Sequence, residues 1–276
     1  MNYRENYENG IKILKDISKD EAVLESRLLL EHVCGTDSNT LFAHPDREVS
    51  SDEETRFTEL LRERATGRPI QYILGSWDFM GLEFNVNPST LIPRQDTETL
   101  VEEVMKYLKD GSEILDMCTG SGCILLSLLH YSNECRGVGA DINPRAVSLA
   151  RENAAKLGIE AEFVESDMFE SISGKFDFIV SNPPYIESAT IETLDCKVKE
   201  FEPVAALDGG EDGLVFYRIL CNECGKYLKV GGMVFFEIGY NQGESVKNLL
   251  QDAGFRDIRI VSDLAGLPRV AIATAP

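Results

Sequence analysis

Residues Ser181–Ile186 read SNPPYI and follow GKFDFIV (174–180), which alternates apolar and polar, then turns wholly apolar, and so reads as a buried strand. Neither Pro183 nor Pro184 has an N–H to give a ladder, so the strand stops there. Each proline also pushes the residue before it into extended backbone, which fixes Asn182 and Pro183. The Asn182 side-chain oxygen and the Pro183 carbonyl can then converge on one NH2 group, with Tyr185 as a flat wall beside it. Such acceptors suit a planar, weakly nucleophilic nitrogen, either a carboxamide or an exocyclic amine. Accepting both N–H bonds orients that nitrogen and favours the positive charge it develops as a methyl arrives. The structural alternative is a plain Pro-Pro turn.

A second group lies upstream, where EILDMCTGSGCILLSLL (113–129) reads as strand, glycine loop and helix. Gly120 and Gly122 let the backbone turn tightly and approach a ligand. A dinucleotide fingerprint needs a third glycine at position 125, which is Leu125 here. S-adenosylmethionine, which has no phosphate, therefore fits better than a pyrophosphate. Asp141 ends GVGAD (137–141) and can accept both ribose hydroxyls of an adenosine, or else cap the helix begun by DINPRAV. Asp116 stands where a carboxylate can face the α-ammonium of such a ligand. These features point to methyl transfer over hydride transfer. The three histidines (His32, His44, His130) have no triad or ligand spacing, so no metal is expected. Cys221 and Cys224 form a lone CxxC on one helix face, which reads as core packing.

The elements that must position these residues follow from the pattern. NGIKILKDI (9–17), EAVLESRLLLEHVCG (21–35) and SDEETRFTELLRERATG (51–67) are amphipathic helices. The third opens on a capping-box spacing, Ser51 and Glu54, and closes at Gly67. IQYILG (70–75) and WDFMGLEFNV (77–86) suggest a hairpin around Gly81, and a long helix follows from Asp96 or Thr97 to Gly111. Beyond it, strands at 113–118, 137–141, 162–167, 176–180 and 233–239 alternate with helices, which argues for a doubly wound parallel sheet. DIRIVSD (257–263) and RVAIATA (269–275) have only a short link and read as an antiparallel edge pair. The expected organisation is a helical domain at 1–69, a β-hairpin linker at 70–95 and an α/β catalytic domain at 96–276.

The chain has 276 residues, 43% of them hydrophobic, and a net charge of -20. That charge argues against a surface that grips nucleic acid. No apolar run approaches membrane-spanning length and no signal peptide is evident, while seven scattered cysteines suit a reduced compartment. The expectation is a cytoplasmic protein, monomeric, with no membrane contact.

LIPRQDTE (91–98), LDMCTGSGCI (115–124), SNPPYI, FEPVAALDGGEDGL (201–214) and FFEIGYNQG (235–243) together resemble the protein-(glutamine-N5) methyltransferases that modify peptide chain release factors. The resemblance runs from the N-terminal helices to the final LAGLPRV (264–270). It implies a Rossmann-like class I S-adenosylmethionine-dependent methyltransferase domain, α/β in class. It further implies methylation of the glutamine in the Gly-Gly-Gln motif of class I release factors. The loop Cys118, Thr119, Gly120, Ser121 and Gly122, together with Asp141, would hold S-adenosylmethionine, and Asp167 and Met168 would line the adenine. Asn182 would sit between cofactor and substrate, and Asn182, Pro183, Pro184 and Tyr185 would grip the glutamine. The N-terminal helices would dock the release factor body. Gln95 stands where many relatives carry a second proline, and Met168 where tryptophan is familiar. Arg94 and Glu98 either close the cofactor pocket or form an ion pair at a helix start. Glu202 and Asp208 either approach substrate or belong to a solvated acidic turn. Two other substrates share NPPY-type chemistry: a ribosomal-protein glutamine and adenine in nucleic acid.

Overall fold

The protein, represented by a computed structural model, is described over residues 1–18, 20–194 and 196–276. It divides into two compact units, Met1–Ser76 with Cys196–Phe201, and Trp77–Asp195 with Glu202–Pro276.

The first unit holds helices α1 (Tyr3–Leu14), α2 (Ala22–Cys34), α3 (Ser38–Ala43), α4 (Ser51–Ala65) and α5 (Ile70–Leu74). Helix α1 starts earlier than its apolar pattern suggests because Asn2 and Glu5 form a reciprocal capping box. The box on α4 is Ser50 with Glu53, one residue before the expected pair. Ser50 has the extended backbone that a cap requires (φ -67°, ψ 159°), whereas Ser51 is already helical. Leu29, Leu30, Phe57 and Leu61 form the core. Inside it Arg64 is 1% exposed and donates to Glu25 Oε1 from Nε and Nη2, at 3.0 and 2.8 Å. Residues 70–74 are a helical turn closed by Gly75 at φ 77°, not the strand expected of them. A five-residue apolar run satisfies either period, and Gly75 supplies the left-handed cap that decides for the helix.

The hairpin pairs β1 (Ser76–Phe79) with β2 (Leu82–Asn85). In the second unit α6 (Gln95–Met105) precedes β3 (Glu113–Met117), α7 (Cys123–His130), β4 (Arg136–Asp141), α8 (Pro144–Leu157), β5 (Glu162–Glu165) and β6 (Phe176–Ser181). Helix α6 stops short of Gly111 because Tyr107 and Leu108 both donate to the Val104 carbonyl and close the last turn. Short helices α9 (Ser188–Ile191) and α10 (Cys196–Lys199) come next, α10 belonging to the first unit. The chain ends with α11 (Val215–Tyr227), β7 (Leu228–Glu237), α12 (Gly243–Asp252), β8 (Arg256–Ser262) and β9 (Pro268–Thr274).

Seven strands form one sheet in the order β5-β4-β3-β6-β7-β9-β8. Strands β3 to β7 run parallel, and β9 is antiparallel to both β7 and β8. Apolar clusters cover the two faces, one around Leu115, Ile179 and Phe236, the other around Ile114, Leu125 and Phe235. Such double coverage explains why most successive residues of β3 and β6 are buried, not alternate ones. The chain winds outward from β3 to β5 and then returns to β6 on the other side of β3. That reversal opens a crevice at the carboxyl ends of the strands. Cys221 and Cys224 are free thiols buried on α11, as core packing requires; the Cys196 side chain lies outside the described residues. Among the described residues no helix is long and apolar enough to cross a membrane.

Candidate active site

Strand β6 delivers Asn182 to this crevice, and its last residue is tied down first: Ser181 Oγ donates to the Met117 carbonyl at 2.7 Å. Pro183 and Pro184 are buried, and Tyr185 is half-buried. The segment is held from behind by the loop before α11. Ile186 N–H donates to the Leu207 carbonyl (2.9 Å), Gly209 N–H returns a bond to the Ile186 carbonyl (2.8 Å), and Gln242 Nε2 donates to the Tyr185 carbonyl (2.9 Å). Gly209 and Gly213 permit this approach, since a Cβ on either would fall 2.8 Å or 2.4 Å from Tyr185 backbone atoms. On the other side, Asn182 Nδ2 donates to Thr97 Oγ1 on α6 at 3.3 Å. Burial pushes the Tyr185 phenol up to about 12, with Glu237 adding to the effect, so it stays neutral.

The glycine loop joins β3 to α7. Gly120 N–H donates to Asp141 Oδ2 and Asn143 N–H to Asp141 Oδ1, both at 2.9 Å. Helix α8 is capped by the Asn143 side chain, which accepts from Arg145 N–H at 3.0 Å. Asp141 is therefore not the cap, and each of its oxygens keeps a lone pair for another donor. Burial raises its pKa, opposed by those two amides. Asp116 is wholly buried: Oδ2 accepts from Thr119 Oγ1 at 2.6 Å, while Oδ1 has no partner. Burial pushes this carboxyl up to about 7, against the Thr119 bond and with help from Asp141. Asn153 braces the loop, donating to the Ser121 carbonyl at 2.9 Å and to the Asn85 carbonyl at 3.1 Å.

A cavity of about 480 Å³ lies over these groups. Of the residues singled out in the sequence, Cys118, Thr119, Gly120, Ser121, Asp141, Asp167, Met168, Asn182 and Pro184 line it. Asp116, Gly122, Pro183 and Tyr185 stand outside its lining. Gly122 instead caps α7 at φ 79°, packed against Ala150 and Phe163. Cys118 and Met168 both carry left-handed backbone, at φ 61° and 43°, although neither is glycine. Strain of this kind collects at sites where the surroundings over-determine the chain.

One wall was legible in the sequence only at Arg94, offered there as closing the pocket. Residues 89–94 line the cavity, held by Arg94 Nη2 donating to Glu202 Oε1 and by Ile92 N–H donating to Glu202 Oε2 at 3.4 Å. Glu202 is buried, so it is not part of a solvated turn. Burial raises its pKa and Arg94 opposes the rise. Glu98 accepts from Met80 N–H at 2.7 Å and is no partner of Arg94. Asp208 lines the cavity and accepts from Ser188 Oγ (2.6 Å) and Gly210 N–H (2.9 Å). Ile142, 59% exposed beside Asp141, adds an apolar flank. Its position directly after a strand-end acid was the available signal.

The residues fit S-adenosylmethionine on two counts. An acid with free lone pairs ends β4, and Met168, Ile142 and Phe216 offer apolar surface for a base.

This sheet and crevice define a class I methyltransferase. The chain belongs to the release factor glutamine methyltransferases. The protein of that name from Geobacter sulfurreducens (strain ATCC 51573 / DSM 12127 / PCA) is 40% identical over 252 residues, covering 91% of this chain and 89% of its own. Its counterpart from Koribacter versatilis (strain Ellin345) is 36% identical over 280 residues, covering 100% of this chain and 99% of that one. Family models for the PrmC N-terminal domain and the methyltransferase small domain match residues 5–75 and 94–200. The crystal structure of a methyltransferase from Pyrococcus furiosus covers 70% of this chain and 89% of that one, with a TM-score of 0.54 and 16% identity, a likeness of fold alone.

Proposed function

We propose that this protein methylates the side-chain amide nitrogen of the glutamine in the Gly-Gly-Gln motif of class I peptide chain release factors, with S-adenosylmethionine as donor. The observation that carries this reading is the placement of Asn182: it directly follows β6, lines the cavity and is braced by Thr97. Asp141 takes the ribose hydroxyls, Asp116 the α-ammonium, and Asp167 and Met168 flank the adenine. S-adenosylmethionine supplies an electrophilic methyl group on a sulfonium centre. The Asn182 oxygen and the Pro183 carbonyl accept the two N–H bonds of the glutamine amide, and Pro184 and Tyr185 hold its plane. An amide nitrogen is a weak nucleophile because its lone pair is delocalised. Two acceptors orient it and favour its developing positive charge. Its proton is lost only after attack, so no strong base need stand nearby. The helical unit at the N-terminus docks the body of the release factor, and enzyme and substrate meet in the cytoplasm.

The reading is tested by incubating the protein with S-adenosylmethionine and a class I release factor, then fragmenting the peptide that contains Gly-Gly-Gln. One methyl group on the glutamine side chain is expected; an unmodified glutamine overturns the reading.

A further inference from the structure

Asn143 lines the cavity and opens α8, and its bonds lead to three different places. Its backbone N–H donates to Asp141 Oδ1 at 2.9 Å. Its side-chain Oδ1 accepts from Arg145 N–H at 3.0 Å, which caps the helix. Its Nδ2 donates to the Ser89 carbonyl at 2.9 Å, across 54 positions of chain. Capping needs only an acceptor, and serine, threonine or aspartate supplies one as well. The donor is what asparagine adds. Both side-chain partners are backbone groups of fixed polarity, so the amide has one favourable orientation. Flipped, it would set NH2 against the Arg145 N–H and oxygen against the Ser89 carbonyl.

That carbonyl belongs to the wall 89–94, whose fastenings are spaced along the chain. Before the wall begins, Asn153 on the same helix holds Asn85 through both N–H and carbonyl, at 2.7 and 3.1 Å. At the far end Glu202 holds Ile92 and Arg94. Between them is a local turn, in which Ser89 N–H donates to Asn87 Oδ1 at 2.9 Å and the Ser89 carbonyl is left to Asn143. Wall and strand-end acid line one cavity, and Asn143 grips both.

We propose that Asn143 is a positioning residue for the cofactor: its amide fastens the 89–94 wall beside Asp141, so that both surfaces stand in place before S-adenosylmethionine arrives. This deepens the reading above and rests on it for the identity of the ligand. The fastening itself is a property of the free protein. A ligand that meets a wall already held does not have to order it, and its affinity is higher by that amount.

The test uses full-length protein and three variants that separate the cap from the tie. Asn143→Ser keeps a capping oxygen but is too short to span to Ser89. Asn143→Asp keeps the shape and the cap but turns an oxygen to the Ser89 carbonyl. Asn143→Ala loses both cap and tie. Hydrogen exchange without cofactor, read by mass spectrometry, should show the amides of residues 88–94 released in all three, at least as far in Asn143→Asp as in Asn143→Ser. The melting temperature should fall in Asn143→Ala and return to nearly the wild-type value in Asn143→Ser. Calorimetric Kd for S-adenosylmethionine should nonetheless rise by roughly fivefold to tenfold in both. Wild-type exchange over 88–94 in Asn143→Ser would overturn the proposal, as would a Kd that recovers with the melting temperature. A wild type that binds no S-adenosylmethionine, with residues 88–94 still released in Asn143→Ser, would leave the fastening standing and remove the cofactor reading.

Discussion

At the scale of residues, the proposed transfer sets Asn182 toward the acceptor and Asp141 toward the donor. Asn182→Ala is expected to lower kcat on the order of a hundredfold while cofactor affinity changes little. Asp141→Ala should do the reverse, costing about 2 kcal/mol, or roughly thirtyfold in cofactor Kd. Calorimetric titration alongside turnover distinguishes them, and the same parameter falling in both would merge the two roles. Asp116 adds a pH signature. Burial raises its pKa from 3.8 to about 7 in the folded protein. Its contribution to stability is therefore complete below 3.8 and is lost as pH rises through about 7. Without cofactor, the melting temperature of Asp116→Asn should gain on the wild type from about pH 4 to about pH 7 and hold its lead above that. A constant difference across the range would show that the carboxyl is not protonated when buried. That the segment after β6, the glycine loop and Asp141 meet at one crevice was legible because each depends on local geometry: prolines without N–H, glycines with positive φ, an acid at a strand end. The buried Glu237 was not, because the pairing of β6 with β7 that sets it beside Asn182 joins positions distant in sequence, and an acid inside MVFFEIG carries no local mark.

At the scale of elements, the loop before α11 acts as a splint for the segment after β6. Gly213 sits at φ 70°, where a Cβ would meet the Tyr185 carbonyl oxygen at 2.4 Å and Gln242 Nε2 at 2.7 Å. Gly213→Ala should destabilise the protein by about 1–3 kcal/mol and lower turnover as Tyr185 shifts. Gly225, inside α11 with nothing within 4 Å of an added Cβ, is the matched control. There alanine should stabilise by about 0.5–1 kcal/mol through helix propensity. Thermal melts of the two variants read both signs at once. Alternating strands and helices made the parallel order β3 to β7 legible, and the short link after β8 announced its antiparallel pairing with β9. Residues 70–74 were ambiguous because five apolar residues suit a helical turn as well as a strand. Beyond Arg94, the 89–94 wall was hidden for another reason: it depends on Arg94 meeting Glu202, more than a hundred positions away.

At the scale of the molecule, the net charge of -20 bears on the choice of acceptor more than any single residue. Nucleic-acid grip draws on Lys and Arg neutralising phosphates, and a surface of opposite sign resists it. The NPPY geometry itself tolerates an exocyclic adenine amine as readily as a carboxamide, so site chemistry and surface charge answer different questions. The most direct measurement offers labelled S-adenosylmethionine to the protein with four acceptors: a class I release factor, its variant with alanine for the glutamine of Gly-Gly-Gln, ribosomal proteins, and duplex DNA. Label on the release factor alone, lost in the variant, is the predicted result. Label on DNA or a ribosomal protein, or label retained by the glutamine variant, would contradict it.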